Sequence, residues 1–169
     1  MTYAPANQGI RTGLWVSTLG KESQTAGQAS VPVSGTMTTD QAYIVRIVVP
    51  TPTIVKRLYW ANGATASTNT VQVGIYNDDL SSFLLGTATT SSGASALQFD
   101  NVTDTAIRAG RYWLAIVLNG TTATLQRANN TTLRIGSLYI MAAARPLPAT
   151  LVPATGAGIL PLFGFTSIA

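Results

Sequence analysis

The sequence predicts a single all-β domain, an antiparallel β-sandwich or jelly roll, from three observations. Short apolar segments rich in β-branched and aromatic residues follow one another along the chain. Turn-forming residues separate these segments, and no stretch repeats its apolar residues with a sustained helical period. The chain has 169 residues, which is enough for one domain with a proper core and too few for two.

The same pattern divides the chain into three parts. Residues 1–35 are predicted to form an N-terminal arm, because their apolar residues occur singly or in small groups. Residues 36–144 hold the strands of the sandwich domain. Residues 145–169 form a proline-rich crossing that leads to a final strand or to a C-terminal arm, and the strand is favoured because it would close a jelly roll. Whether the N-terminal arm packs on its own domain or on an adjacent subunit is left open.

Individual strands are predicted where apolar segments lie between turn signals. In chain order they cover residues 14–19, 42–49, 54–60, 70–76, 83–89, 97–99, 110–118 and 123–127. Pro50 and Pro52 end the second of these, since proline cannot continue a central ladder. Asn119-Gly120 predicts a hairpin that pairs residues 110–118 with the next strand. Residues 138–144 are a weak helix candidate.

The segment 110–118 is apolar on both of its faces. Side chains alternate along a strand, so Trp113, Ala115 and Val117 share one face. The opposite face holds Tyr112, Leu114, Ile116 and Leu118. A strand in a two-layer sandwich needs only one apolar face. We therefore expect a cover over the second face, supplied by another part of this chain or by another chain.

Composition excludes several classes of protein. Apolar residues make up 46% of the chain and charged residues only 9%, which is unlike a disordered protein. The net charge of +4 comes from scattered basic residues, so no nucleic-acid groove is predicted. The chain has no Cys for disulfides or thiolate metal sites. The N-terminus does not resemble a secretory signal, and no apolar run is long enough to span a membrane.

The sequence gives little support for catalysis. It has no His and no Cys, which removes the commonest general base and the thiol nucleophile. Asp100 and Asp104 have the residue types of a glycosidase-like carboxylate pair, but Asp residues this close in sequence are more typical of turns. A calcium site that uses these residues or Asp78 and Asp79 lacks a patterned ligand spacing. We predict no enzyme activity, no catalytic residue, no metal site and no cofactor.

Several segments resemble a pattern found in small structural proteins of tailed bacteriophages, in which a Gly-Ile-Tyr strand and a Gly-x-Tyr-Trp-Leu-Ala strand share one β-sandwich or jelly roll. The segments that carry the resemblance are Leu58-Tyr59-Trp60, residues 73–78, Leu84-Leu85-Gly86, residues 109–115 and Leu147-Pro148-Ala149. The resemblance implies a virion component. A composition like that of extracellular β-domains without an export signal indicates a particle that is assembled in the host cytoplasm. The resemblance does not separate head from tail, and it carries no functional residue over to this chain.

The function expected from these observations is that of a capsid decoration (cement) protein. The expected partners are further copies of the chain, in a homo-oligomer with a trimer as first choice, and virion proteins such as the major capsid protein. Neither nucleic acid nor a membrane is expected as a partner. The residues predicted to line its interfaces are Trp15, Leu19, Tyr112, Leu114, Phe163 and Phe165.

The alternative function is a carbohydrate-binding or receptor-binding module of a phage tail tip, baseplate or fibre. Such a module needs exposed aromatic rings on which a sugar can stack. Tyr59 and Tyr76 are the candidates, because each ends a strand beside a loop. A structure in which both rings are buried would remove this alternative.

Overall fold

A computed structural model gives the fold of the chain. It describes residues 15–18, 33–65, 70–90, 93–120, 122, 124–129, 138–142, 144–156 and 159–167. All regular structure in these ranges is β-strand, so the predicted all-β class is confirmed. Residues 138–144 do not form the helix considered above, since Leu138–Met141 is a strand. No helix in the described ranges is long and apolar enough to cross a membrane.

The strands are numbered here in chain order. They are β1 (Trp15–Ser17), β2 (Val33–Thr36), β3 (Ala42–Val49), β4 (Thr53–Ala61), β5 (Thr70–Tyr76), β6 (Phe83–Thr90), β7 (Leu97–Ile107), β8 (Gly110–Leu118), β9 (Thr124–Asn129), β10 (Leu138–Met141), β11 (Thr155–Gly156), β12 (Ile159–Pro161) and β13 (Phe163–Thr166).

These strands form three antiparallel sheets. A six-stranded sheet has the order β11-β10-β3-β8-β5-β6, and a four-stranded sheet has the order β1-β13-β4-β7. A smaller sheet has the order β12-β9-β2. The main core lies where the inner faces of these sheets meet, and it combines residues such as Leu114 of β8, Trp60 of β4 and Leu125 of β9. The arrangement is sandwich-like, as the sequence predicts.

Alternation along the strands explains which side chains enter the main core. Val71, Val73 and Ile75 of β5 are all buried on the inner face, as their spacing predicts. Strand β4 departs from strict alternation because its register with β7 shifts between Val55 and Arg57. Between these two positions β7 has two residues more than β4, and Val55 and Leu58 are both buried although they are three residues apart.

One expectation about strand pairing and one about strand length are wrong. Residues 119–120 do form a turn, with Gly120 at φ +97°, but β8 does not pair with β9. Strand β8 lies between β3 and β5, whereas β9 pairs with β2 and β12. Strand β7 is also much longer than predicted, so Asp100 and Asp104 lie within a strand and not beside a loop.

Both ends of the described chain join the body of the domain. Strand β12 pairs with β9, and after Leu162 the chain continues as β13 between β4 and β1. Phe163 and Phe165 of β13 point into the main core. The strand favoured for the C-terminal part of the chain is therefore β13. Strand β1 lies at the edge of the same sheet, with Val16 opposite Phe165.

Candidate assembly surface

The second face of β8 is covered by the chain itself. Trp113, Ala115 and Val117 point away from the main core and form a second apolar cluster with Ala144 and Leu151. The last two belong to residues 144–153, which cross this face and which we call the strap. Leu151 is only 3% exposed. The expected cover is therefore present, and it is the proline-rich crossing of the same chain.

Hydrogen bonds fix the strap to the strands and turns beneath it. They run from the Tyr76 hydroxyl to the Pro148 carbonyl oxygen (2.7 Å), from the Leu147 N–H to Gln72 Oε1 (3.1 Å), from the Phe83 N–H to the Ala149 carbonyl oxygen (3.0 Å) and from the Leu151 N–H to the Leu80 carbonyl oxygen (3.1 Å). The strap also connects β10 to β11, and these two strands pair with each other. It is therefore a loop held at both ends and along its length.

Two glycines make room for an aromatic ring beside the strap. Gly74 and Gly86 lie opposite each other in β5 and β6, and the Phe83 ring lies over both. A Cβ atom on Gly74 would stand 2.6 Å from this ring. The ring also meets the Tyr76 ring edge-on, at a centroid distance of 5.2 Å. The residues that carry the phage resemblance in this region thus serve packing.

Neither predicted sugar-stacking residue is at the surface. Tyr59 is 3% exposed, and its hydroxyl donates to the Val16 carbonyl oxygen at 3.2 Å. Tyr76 is fully buried beneath the strap, and this burial raises the pKa of Tyr76. The expectation of an exposed aromatic platform is corrected by these placements, because a ring must be accessible on one face to stack on a sugar.

The residues predicted to form an interface are mostly internal. Leu114, Phe163 and Phe165 are fully buried in the main core of their own chain, so they are not available to a surface contact. Tyr112 packs against the same core. Trp15 begins β1, and its partner in the register is Thr166 of β13. Leu19 lies outside the described residues. The prediction of these interface residues is wrong for the buried ones, because a large apolar residue in a strand more often packs in the core of its own chain than against another subunit.

Large apolar side chains are exposed elsewhere. They are Val48, Ile54, Phe83, Leu84, Leu97, Phe99 and Val152. Leu97 and Phe99 of β7 lie opposite Ala61 and Tyr59, on the outer face of the four-stranded sheet. They are 50% and 40% exposed. Their alternation with polar residues was visible in the sequence, but the sequence did not show that they face outward.

A second exposed apolar residue lies among arginines on the outer face of the six-stranded sheet. Val48 of β3 is 65% exposed and lies opposite Arg111 of β8. The next pair on this face is Arg46 with Trp113. The guanidinium of Arg46 lies 5.5 Å from the Trp113 ring centroid, and Arg46 Nε donates to Asp78 Oδ1 at 3.0 Å. We call Val48 and Arg111, together with the exposed Arg108 that precedes Arg111 by three residues in the chain, the Val48 patch.

Carboxylates of the described chain mostly take part in structural contacts, whereas Asp40 Oδ1 is buried without a hydrogen-bond partner there. Lys56 Nζ lies 3.3 Å from Asp104 Oδ2. The hydrogen bonds from Ser81 hold the pKa of Asp79 below its ordinary value. In the described ranges no group of three or more acidic, His or Cys side chains could hold a metal ion. The described residues thus offer exposed surfaces for contact.

No protein-family model and no curated protein matches the chain. Among solved structures it is similar to a chain in the crystal structure of the T13 IBDV viral particle, with a TM-score of 0.33 and 10% sequence identity. The match covers 99% of this chain and 44% of the other, so the chain spans less than half of that viral chain. A likeness at this TM-score carries no argument about function.

Proposed function

We propose that the chain is a non-enzymatic virion structural protein of a tailed bacteriophage, and that it acts as a capsid decoration protein. The observation that carries the proposal is the position of its exposed apolar side chains. Leu97, Phe99 and Val48 are held on strands of a closed sandwich and not on loops. Neighbouring exposed apolar side chains can form a surface that binds other proteins, and Leu97 and Phe99 lie on the same face of β7.

The resemblance to phage structural proteins supports the setting. Residues that carry the resemblance have packing roles in the structure. Gly74 and Gly86 leave room for the Phe83 ring, and Trp113 packs beneath the strap. The resemblance and the exposed contact residues together support the proposed location in the virion.

Self-association is proposed through the outer face of the four-stranded sheet. Leu97 and Phe99 would form the centre of this contact, since large apolar residues near the middle of an interface contribute most of its binding energy. A stable contact buries on the order of 1,600 Å² in total, so neighbouring polar residues of β4 and β7 would form its rim. A trimer is the proposed assembly.

The oligomer is tested by sedimentation velocity on three purified proteins: the wild type, Leu97→Ser and Val152→Ser. Val152 is a matched control, because it is 69% exposed but lies in the strap. The wild type and Val152→Ser should sediment as the same oligomer, and Leu97→Ser should shift toward the monomer. A wild-type monomer at tens of micromolar protein would contradict self-association.

Decoration is tested by co-sedimentation with shells purified from a phage that lacks this gene. Wild-type protein should pellet with the shells and saturate at a fixed number of copies per shell. Because decoration requires a repeated site on the shell, binding without saturation would count against the proposal. Absence of binding would refute it.

A further inference from the structure

We infer that the Val48 patch is the surface that contacts the shell, and that it binds an acidic protein surface there. This inference rests on the proposed function for the identity of the partner. Its chemistry comes from the patch itself, which combines one exposed apolar side chain with arginines that have no acidic partner among the described residues.

The geometry of the patch follows from strand register. Val48 and Arg111 are directly opposite in the β3–β8 ladder and lie on the outer face of the six-stranded sheet. Residues in this relation have Cβ atoms about 5 Å apart, so the two side chains form one continuous surface. Arg108 lies in the turn that leads into β8, where its carbonyl oxygen accepts the Tyr112 hydroxyl at 3.0 Å.

The charge of the patch is uncompensated. In the described part of the chain the ion pairs are Arg46 with Asp78 and Lys56 with Asp104. Arg46 is thus neutralised by Asp78, whereas Arg108 and Arg111 are exposed and have no ion pair in these residues. Asp79, the other acidic residue in this turn, hydrogen-bonds to Ser81. The arginines therefore favour a partner that supplies carboxylates.

The chemistry favours a protein over a nucleic acid. Arginine binds carboxylates in a bidentate manner and is enriched at protein interfaces, often beside apolar groups. A nucleic-acid surface instead requires several cations along a line of phosphates. The patch offers two free arginines in the described residues and places Val48 beside one of them. An acidic protein surface with an apolar centre matches this arrangement.

The test compares shell binding by Arg111→Glu and by Arg145→Glu. Arg145 is also exposed and lies on the strap, so the two variants have the same net charge and differ in position. Arg111→Glu should weaken binding to the gene-deficient shells by at least tenfold, and Arg145→Glu should stay within about twofold of wild type. Val48→Ser should weaken binding by several-fold. Circular dichroism and sedimentation of the same samples establish that each variant is folded and assembled.

Each outcome decides between the two proposals. If wild type binds shells and the patch variants bind equally well, the Val48 patch is wrong and decoration stands. If wild type does not bind shells, decoration fails and this inference fails with it. A duplex oligonucleotide is added as a competitor, and displacement of wild type but not of Arg111→Glu would identify the patch as a nucleic-acid surface and overturn the acidic protein partner.

Discussion

The strap makes a sharp prediction about stability through two adjacent residues. Leu151 of the strap is 3% exposed and packs against the second face of β8, whereas Val152, also in the strap, is 69% exposed. Leu151→Ala removes buried methyl groups and leaves a cavity, which costs about 2–4 kcal/mol in the free energy of unfolding. Val152→Ala removes exposed groups and should change stability by no more than about 0.5 kcal/mol.

Urea denaturation followed by tryptophan fluorescence measures both changes, since Trp113 lies in the cluster that Leu151 joins. A domain of this size has a total stability of about 5–15 kcal/mol, so the Leu151→Ala loss is a large share of it. In a thermal melt, the loss in Leu151→Ala corresponds to a melting temperature lower by ~5–15 °C, since each kcal/mol shifts the midpoint by about 2–4 °C. Equal midpoints for the two variants would refute the packing of the strap on β8.

Two further predictions concern backbone approach and ionisation. Gly164→Ala should destabilise the domain by about 1–3 kcal/mol, because the new Cβ would overlap the Val16 carbonyl oxygen. The control Gly110→Ala would bring its Cβ no closer than 3.8 Å to another atom, so it should lower the free energy of unfolding by less. Chemical denaturation measures both changes. Tyr76→Phe removes the 2.7 Å hydrogen bond to the Pro148 carbonyl and should cost about 1 kcal/mol at pH 7. Burial raises the pKa of Tyr76 above the unfolded value of about 10, so the wild type should lose stability as the pH rises above 10. A urea midpoint of the wild type that falls no more steeply in this pH range than the midpoint of Tyr76→Phe would contradict this prediction.

The strands themselves were largely predictable from the sequence. The predicted bounds of β3, β5 and β8 coincide with those in the structure, because each is a compact apolar run between strong turn signals. Strand β7 was mostly missed, since Asp, Asn and Thr dominate its second half. Asp and Asn are depleted in strands, and an edge position that exposes much of the strand tolerates them.

Pairing could not be predicted to the same extent. Asn119-Gly120 specifies a local turn, but the partner of β8 is decided by which strands bury its two apolar faces. Strands β3 and β5 flank β8 in the structure. The turn after β8 instead leads the chain into the sheet of β9. A local turn signal sets the direction in which the chain leaves β8, but it does not determine which strands pair with β8.

The candidate surfaces were the least predictable part. Val48 sits between Ile47 and Val49, and the sequence does not separate the three by type. Ile47 and Val49 enter the main core, and Val48 faces outward where no described residue covers it. Val48 is exposed because the strap does not cover it, and the residue types do not predict where the strap crosses the sheet. Conversely, Phe163 and Phe165 were placed at an interface, although β13 turns them into the core.

The two proposed contacts lie on opposite sides of the sandwich. Leu97 is on the outer face of the four-stranded sheet, and Val48 is on the outer face of the six-stranded sheet. Packed sheets lie about 10 Å apart, so the two surfaces are separated by more than that distance and share no side chain. One copy could therefore bind a sibling through the first and the shell through the second. Arg111→Glu should then weaken shell binding without altering the sedimentation of the free protein, and a variant that changed both would show that the two surfaces are a single contact.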